Sequence, residues 1–386
     1  MDDLNVDRRR DIIKPSYLIV LIFLLLLLLP RVRWTLHEIG ERWTYILFLS
    51  FSLSFCLTPI AKKAALRFGV LDIPDKRKLH SFPVPFLGGV GIFTAFLIAV
   101  YLNGIYTGEL IGVIISAFLI FVAGLLDDVW GLSSLFRLVV QILAVLLLVS
   151  FGVSVVIFKP EGVGLILNTL VTLIWIVGIT NSMNFFDGMD GLAAGLSLLI
   201  AVFLGVVAFQ TSQPFLGWLA IAVAGSCLGF MPYNFRIRRK ATIFLGDSGS
   251  NFLGFTLASL AVMGEWSDRS LAASLATPVL IFSILIYDMI YITINRFLTG
   301  KVRSVKEWLD YVGRDHLHHR METILQSRRK SVLFIYLLSF TLSINALILR
   351  GASTVEAWLL LLQAAAILIV VTIFEIVVNR GQNNHG

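Results

Sequence analysis

The segment LVTLIWIVGITNSMNFFDGMDGLAAG, residues 170–195, decides the fold and raises the functional question with it. Residues 170–180 are apolar enough to sit in lipid, yet Asn181, Asn184, Asp187 and Asp190 follow at once, before a new apolar run begins at Leu192. The same alternation fills the chain. Apolar runs fall near 17–30, 43–60, 86–103, 109–126, 135–152, 163–184, 192–209, 214–231, 249–264, 271–295, 331–349 and 357–379. A helix needs roughly 20 apolar residues to cross a bilayer, and a backbone in lipid must satisfy its own hydrogen bonds. The expected fold is therefore all-α: a polytopic integral membrane protein with 11–12 transmembrane helices. The first run is short, at about 21 Å of helix rise. No period-two alternation recurs, which excludes a barrel.

Composition agrees. Of 386 residues 58% are hydrophobic and 14% charged, far from the balance of soluble globular chains. The formal net charge of +7 points to basic cytoplasmic loops rather than to a nucleic-acid partner. Cys56 and Cys227 lie in separate apolar runs and no CxxC occurs, so neither a disulfide framework nor a zinc site is expected. Arg9-Arg10-Asp11-Ile12-Ile13-Lys14 imitates a twin-arginine signal. No small-residue cleavage site follows Pro30, so these residues read as a basic arm before a first short helix.

Loops 61–85, 232–248 and 296–330 carry clusters of Lys and Arg, while 104–108 and 210–213 carry none. By parity of the runs the three basic loops share one face, which the positive-inside rule makes cytoplasmic. Loop 31–42, with Arg31, Arg33 and Arg42, fits this orientation poorly.

Parity sends five polar clusters to that same face: RKLHSFPVPFLGG (77–89), LLDDVWGLS (125–133), NSMNFFDGMDG (181–191), IFLGDSGSN (243–251) and RDHLHHR (314–320). Chance would scatter them over both faces, so one site at the membrane boundary is expected. Asp127, Asp128, Asp187, Asp190 and Asp247 supply hard oxygen ligands of the kind that suit Mg²⁺, with Mn²⁺ as an alternative. Alone, an adjacent Asp pair is as readily a helix cap. Gly188, Gly191, Gly246 and Gly249 flank the acids, either to let backbone N–H groups approach an anion or as helix-end punctuation. The HLHH stretch, His316 to His319, lacks zinc-ligand spacing. Among arginines it suits phosphate, or else an acidic lipid surface. Asp288 lies inside an apolar run, where a carboxylate is functional by default, though packing or pairing with Arg296 is an equal reading. Together these groups suit transfer between a phosphorylated lipid and a soluble phosphate ester.

These five motifs, in this order and on one face, resemble the polyprenyl-phosphate N-acetylhexosamine-1-phosphate transferases, the MraY, WecA and TagO family. The resemblance runs from about residue 43 to 349 and implies an MraY-like helical catalytic core there. Residues 1–42 are then an N-terminal arm with an extra short hydrophobic helix, and 350–386 an additional C-terminal transmembrane helix and tail, neither of which should carry chemistry. The HLHH form is similar to the WecA branch and favours UDP-N-acetylglucosamine over UDP-muramoyl-pentapeptide. The resemblance implies transfer of N-acetylglucosamine 1-phosphate to undecaprenyl phosphate with release of UMP. That is the first membrane step of a cell-surface glycan pathway, such as O-antigen or teichoic acid. The setting would be the bacterial inner membrane, with the site on its cytoplasmic face and a homodimer as in relatives. By the same resemblance Asp247 holds the metal with Asn184, and Asp127 is the base that strips the lipid phosphate, with Asp128 beside it. Asp187 and Asp190 help form the nucleotide pocket, and Phe244 stacks on uracil. His316, His318, His319 and Arg320 hold the diphosphate and sugar, and Asn181, Lys78 and His80 also bind substrate.

Some features depart from the family pattern. Position 131 is Gly, where several members place a third Asp, and the stretch from Asn234 to Asp247 is longer than in many relatives, so Asn234 is not expected to act. Two rivals are set aside. Asp187-x-x-Asp190-Gly-x-x-Ala194 imitates the CDP-alcohol phosphotransferase signature, but position 195 is Gly where that signature needs Arg. An ion-coupled transporter would place its acids near mid-membrane, and only Asp288 lies that deep.

Overall fold

In the computed structural model, residues 15–72, 83–236, 239–304, 307–308, 311 and 313–383 are described. They form α1 (Pro15–Leu27), α2 (Pro30–Glu38), α3 (Arg42–Phe68), α4 (Gly88–Leu102), α5 (Gly108–Trp130), α6 (Ser134–Ser150), α7 (Val163–Phe185), α8 (Leu192–Gln210), α9 (Pro214–Asn234), α10 (Gly246–Met263), α11 (Leu271–Ile281), α12 (Ser283–Leu298), α13 (Leu317–Leu325), α14 (Arg328–Ser343) and α15 (Thr354–Asn383). A two-residue antiparallel ladder, β1 (Leu71–Asp72) with β2 (Val84–Pro85), closes the turn between α3 and α4. The protein is an all-α, polytopic membrane protein, as its apolar runs require. Among the described residues, seven helices can cross a bilayer by length and composition, or nine if each of two bent pairs counts as one crossing. Helices α4 and α6 are apolar but shorter.

Both bent pairs revise the one-run, one-helix expectation. α1 turns by 71° into α2, and the run at 271–295 breaks at Phe282 into α11 and α12, bent by 76°. The first bend also explains the arginines of loop 31–42. Arg33 donates to the Leu102 carbonyl (2.9 Å) and Arg42 to that of Asn103, while His37 bonds the Asn103 side chain (3.0 Å). These groups engage the carbonyls that the end of α4 leaves unpaired. Arg42 also lies 3.7 Å from the centre of the Trp218 ring. Two of the three arginines are thus structural, and their charge does not report which side of the membrane they face.

The core is organised around α10, whose residues from Gly246 to Ala261 are almost all buried. It packs against α5 and α7 most extensively, then α4 and α8. Apolar area gives no net drive between helices already in lipid, so close approach through small residues takes its place. A Cβ at Gly254 would lie 2.9 Å from Thr180 Cα on α7, and one at Gly89 on α4 would lie 2.3 Å from the Gly249 nitrogen. The Gly225-x-x-x-Gly229 pair of α9 lets that helix lie directly on the backbone of α3. Cys56 and Cys227 are both free and buried.

Candidate active site at the acidic end of the bundle

Helix α5 runs four residues past its apolar stretch and carries Asp127 and Asp128 on its last turn, both buried. It stops at Gly131, whose φ of +68° is the left-handed cap a side chain would disfavour. This is why no acid stands at 131. Asp128 is spent on structure: its carboxylate accepts the backbone N–H groups of Asp247 (2.7 Å) and Ser248 (3.1 Å) and the Ser248 hydroxyl (2.6 Å). It is the N-terminal cap of α10, supplied from another helix. Those N–H groups are therefore occupied by a protein carboxylate. Gly246 enters α10 at φ +79°, and a Cβ there would meet the Phe86 carbonyl at 2.5 Å and Asp128 at 2.8 Å. Only glycine fits.

Asp127 points the other way. It accepts from the Leu132 N–H (2.6 Å) and from Arg137 (3.0 Å). The same Arg137 nitrogen lies 3.7 Å from Asp247, so one guanidinium bridges the two carboxylates. Asn184, on the last turn of α7, donates to Asp247 (2.6 Å) and to the Ser250 hydroxyl (3.0 Å). Asn181, one turn earlier, is drawn into a buried amide network with Gln141 (2.7 Å), which in turn reaches Asn251 (3.4 Å). It supports the wall of the site.

The turn after α7 carries the other two acids. Asp187 lies in a short 3₁₀ segment, Phe186–Gly188, and interacts with the Gly246 N–H. Asp190 accepts from the Ala241 N–H (2.9 Å) and so holds the 239–245 loop. Asn234, discounted on sequence spacing, fixes the same loop by accepting from the Gly191 N–H (2.8 Å) and donating to the Ile243 carbonyl (3.0 Å). Phe244 is half-buried and bonded through its backbone to Pro85 and Gly88. Gly195 must be glycine, because a Cβ would meet the Tyr336 hydroxyl at 1.9 Å. An arginine there, as the CDP-alcohol signature demands, has no room. Lys78 and His80 lie outside the described residues.

The histidines divide by helical phase. His316 caps α13 from outside and turns inward: its Nδ1 lies 2.8 Å from Asp288, which also accepts the Leu317 N–H (2.7 Å). Asp288 is thus a buried anchor for α13. Arg296, the other candidate partner of Asp288, is bidentate to Asp315 instead (2.8 and 2.7 Å). Burial pushes the Asp315 carboxyl up, but the Arg296 guanidinium outweighs this and holds it below the usual carboxylate range. Arg320, expected to grip the diphosphate, meets other groups here. Its guanidinium points away from the acids, 3.6 Å from Asp288, 3.2 Å from Glu375 and 3.7 Å from the centre of the Tyr291 ring. A residue four positions after His316 lies on the same helix face, and that face looks into the bundle.

His318 lies toward the acidic turn, its ring nearly parallel to that of His316 with centroids 5.9 Å apart. It is 1% exposed, yet neither ring nitrogen has a hydrogen-bond partner among the described residues. Its ring packs on Phe186 and His319, and a Cβ at Gly188 would come within 2.7 Å of its Nε2. Burial first, then the neighbouring His319, His316 and Arg320, hold its pKa well below the usual imidazole range. Half-buried His319 is lowered too, chiefly by burial, with Glu322 at 3.9 Å opposing. A neutral imidazole with two unused nitrogens, beside the turn that carries Asp187, can accept or donate to a polar ligand.

The site is therefore continuous, from α5 through α10 and the α7 turn to α13. Residues 110–265 match the family described as glycosyl transferase family 4. The chain is similar to a probable undecaprenyl-phosphate N-acetylglucosaminyl 1-phosphate transferase of Bacillus subtilis, 36% identical over 77% of this chain and 82% of the relative. The chain belongs to this transferase family. It is also similar to the decaprenyl-phosphate N-acetylglucosaminephosphotransferase of Mycolicibacterium smegmatis, 34% identical over 74% of this chain and 76% of the relative. An undecaprenyl-phosphate alpha-N-acetylglucosaminyl 1-phosphate transferase of Yersinia pestis is 25% identical over 81% and 85%. The family's matched segment contains the acids of α5, the α7 turn and the start of α10; the HLHH helix lies beyond it. Two residues that line this transferase's candidate site escape sequence reading. Arg137 stands alone in an apolar helix, and its only signal is its spacing, ten residues after Asp127. Gln141 is a lone amide four residues later, on the same face of α6.

Proposed function

We propose that the protein transfers N-acetylglucosamine 1-phosphate from UDP-N-acetylglucosamine to undecaprenyl phosphate in the bacterial inner membrane, with the site on the cytoplasmic face. One observation carries the reading: the Asp127–Arg137–Asp247–Asn184 cluster and the unpartnered His318 meet across a single turn, Phe186–Gly188. An anionic acceptor and a nucleotide diphosphate need such a place, where charge is neutralised and both partners are held in line. In the transfer, an acceptor phosphate oxygen forms a bond to the sugar-linked phosphorus as the bond to the bridging oxygen breaks. UMP leaves with that oxygen and the electron pair, and the reaction is redox-neutral. Asp127 takes any proton left on the acceptor phosphate. Arg137 balances the two carboxylates and offers a cation to the incoming phosphate. His318 bonds the donor.

The donor set at Asp247 fits Mg²⁺, or Mn²⁺ in its place. Mg²⁺ takes one or two carboxylates and leaves its remaining positions to water and phosphate oxygens. No group of three or more His, Cys, Asp or Glu among the described residues is placed to hold a metal ion by itself, so a site closed by protein side chains alone is not the reading. Asp247 would hold the ion, and Asn184 would join it with the amide turned over, since Nδ2 and Oδ1 exchange by a half-rotation. The ion would supply charge neutralisation for the diphosphate.

The basic loops 232–248 and 296–330 support the cytoplasmic assignment. A homodimer belongs to the same proposal, on family resemblance alone, and light scattering in detergent checks it. The activity is tested with purified protein, undecaprenyl phosphate and a panel of UDP-sugars. UMP release is expected with UDP-N-acetylglucosamine, dependent on Mg²⁺ and on acceptor. Preference for UDP-muramoyl-pentapeptide, or movement of substrate across vesicles without UMP release, would overturn it.

A further inference from the structure

The last helix, α15, lies outside the segment that carries the family motifs, and only 11% of its most apolar window is buried. A helix so placed should present apolar side chains all round. Yet Glu375 on α15 is 2% exposed and lies 3.2 Å from Arg320, the residue that ends the RDHLHHR motif. One turn earlier on the same face, Thr372 bonds the Tyr287 hydroxyl of α12 at 2.7 Å. α15 thus offers a two-residue polar stripe to α12 and α13.

The charges around Arg320 show what the stripe does. Arg320 faces Glu375 and Asp288, with the Tyr291 ring beneath it. Asp288 is already committed, to His316 Nδ1 and the Leu317 N–H. Glu375 therefore supplies the carboxylate that lets Arg320 stay buried without drawing Asp288 away from His316. With Glu375 gone, Arg320 has one buried counter-charge left, shared with the N-terminus of α13. The short helix that orients His318 then loses its fixed rotation. An acid in a helix that touches lipid is costly to keep, and a pair that steadies the donor side of the site accounts for it.

We propose that Glu375 is a positioning residue for donor recognition: α15, through the Glu375–Arg320 pair, sets the rotation of α13 and hence the aim of His318. This rests on the transferase reading above. The test compares full-length Glu375→Gln, Arg320→Gln and the neutral pair carrying both changes. KM is measured for each substrate, with hydrogen–deuterium exchange over residues 316–325 as an activity-independent readout. Glu375→Gln is expected to raise the KM for the UDP-sugar about tenfold, leave that for the lipid phosphate within twofold, and speed exchange in 316–325. The neutral pair should return both readouts to within about threefold of the parent, because the two opposite charges are removed together and Asp288 keeps His316 and the Leu317 N–H. Parent-like KM and exchange in Glu375→Gln would overturn the proposal. So would a neutral pair no better than Arg320→Gln alone, which would place Arg320 on the donor itself. Lack of transfer by the parent protein would strike the activity assignment, and the exchange data would still decide the positioning role.

Discussion

The two halves of the site are built differently. The acidic half stands on the ends of long helices, α5, α7 and α10, where each functional group is held by neighbours in the same layer. Asp128 caps α10, Asn184 bonds Asp247, and Arg137 bridges Asp127 and Asp247. The histidine half is the nine-residue α13, too short to hold its own shape. It is fixed from behind by buried charges on Asp288 and Glu375. The first half is held within its own layer, by a cap, an amide and one arginine; the second is held from behind, by ion pairs on α12 and α15. The comparison teaches that a motif's charged residues divide into those that face the chemistry and those that aim them.

The sharpest attempt to break this contrast is Asp247→Ala. It should lower transfer by at least about a hundredfold with α10 intact, because the cap on α10 comes from Asp128. Mg²⁺-dependent UMP release near the parent rate would remove Asp247 from the site. Next is His318→Ala, expected to raise the KM for the UDP-sugar by about tenfold to a hundredfold while circular dichroism stays unchanged. Equal kinetics would return the HLHH helix to a structural part. Asp128→Asn should differ in kind from both. It weakens three hydrogen bonds at the start of α10 and is expected to cost about 1–2 kcal/mol, read as a lower Tm in detergent. The corresponding change at Asp127 weakens its contacts with the Leu132 N–H and Arg137, and should lower Tm less than Asp128→Asn while lowering turnover.

The smallest effect is a pH dependence of stability. His318 stays neutral in the folded chain but takes up a proton in the unfolded chain below its free value of 6.5. Unfolding therefore binds protons, and stability falls as pH drops through that value. The fall in Tm between pH 7 and 5 should be shallower in His318→Phe than in the parent. Equal slopes would mean that His318 is accessible and titrates normally in the folded protein.

Much of this contrast is legible in the sequence, and unevenly so. The acids announce themselves, because an Asp at the end of an apolar run has no bland explanation once several share one face. Their division of labour does not. Asp127 and Asp128 are adjacent, so their side chains leave the helix about 100° apart, and only the packing of α10 decides which becomes a cap. Arg137 is hidden for the opposite reason, a single cation inside an apolar helix with no motif around it. Arg320 looks like a phosphate ligand in a basic loop until α13 forms and its phase turns it inward. Asp288 was visible as an anomaly in lipid, but its partners arrive from 28 residues or more away.

By itself, then, the sequence determined that this chain is a bundle of membrane helices with its acids and histidines at one end, and to which family it belongs. Hydropathy and motif order are properties of the chain read in line. Which carboxylate caps, which bridges an arginine, and which histidine has no hydrogen-bond partner among the described residues were decided only by the tertiary structure. Those roles depend on helix phase and on contacts between residues far apart in the chain, and linear spacing does not record them.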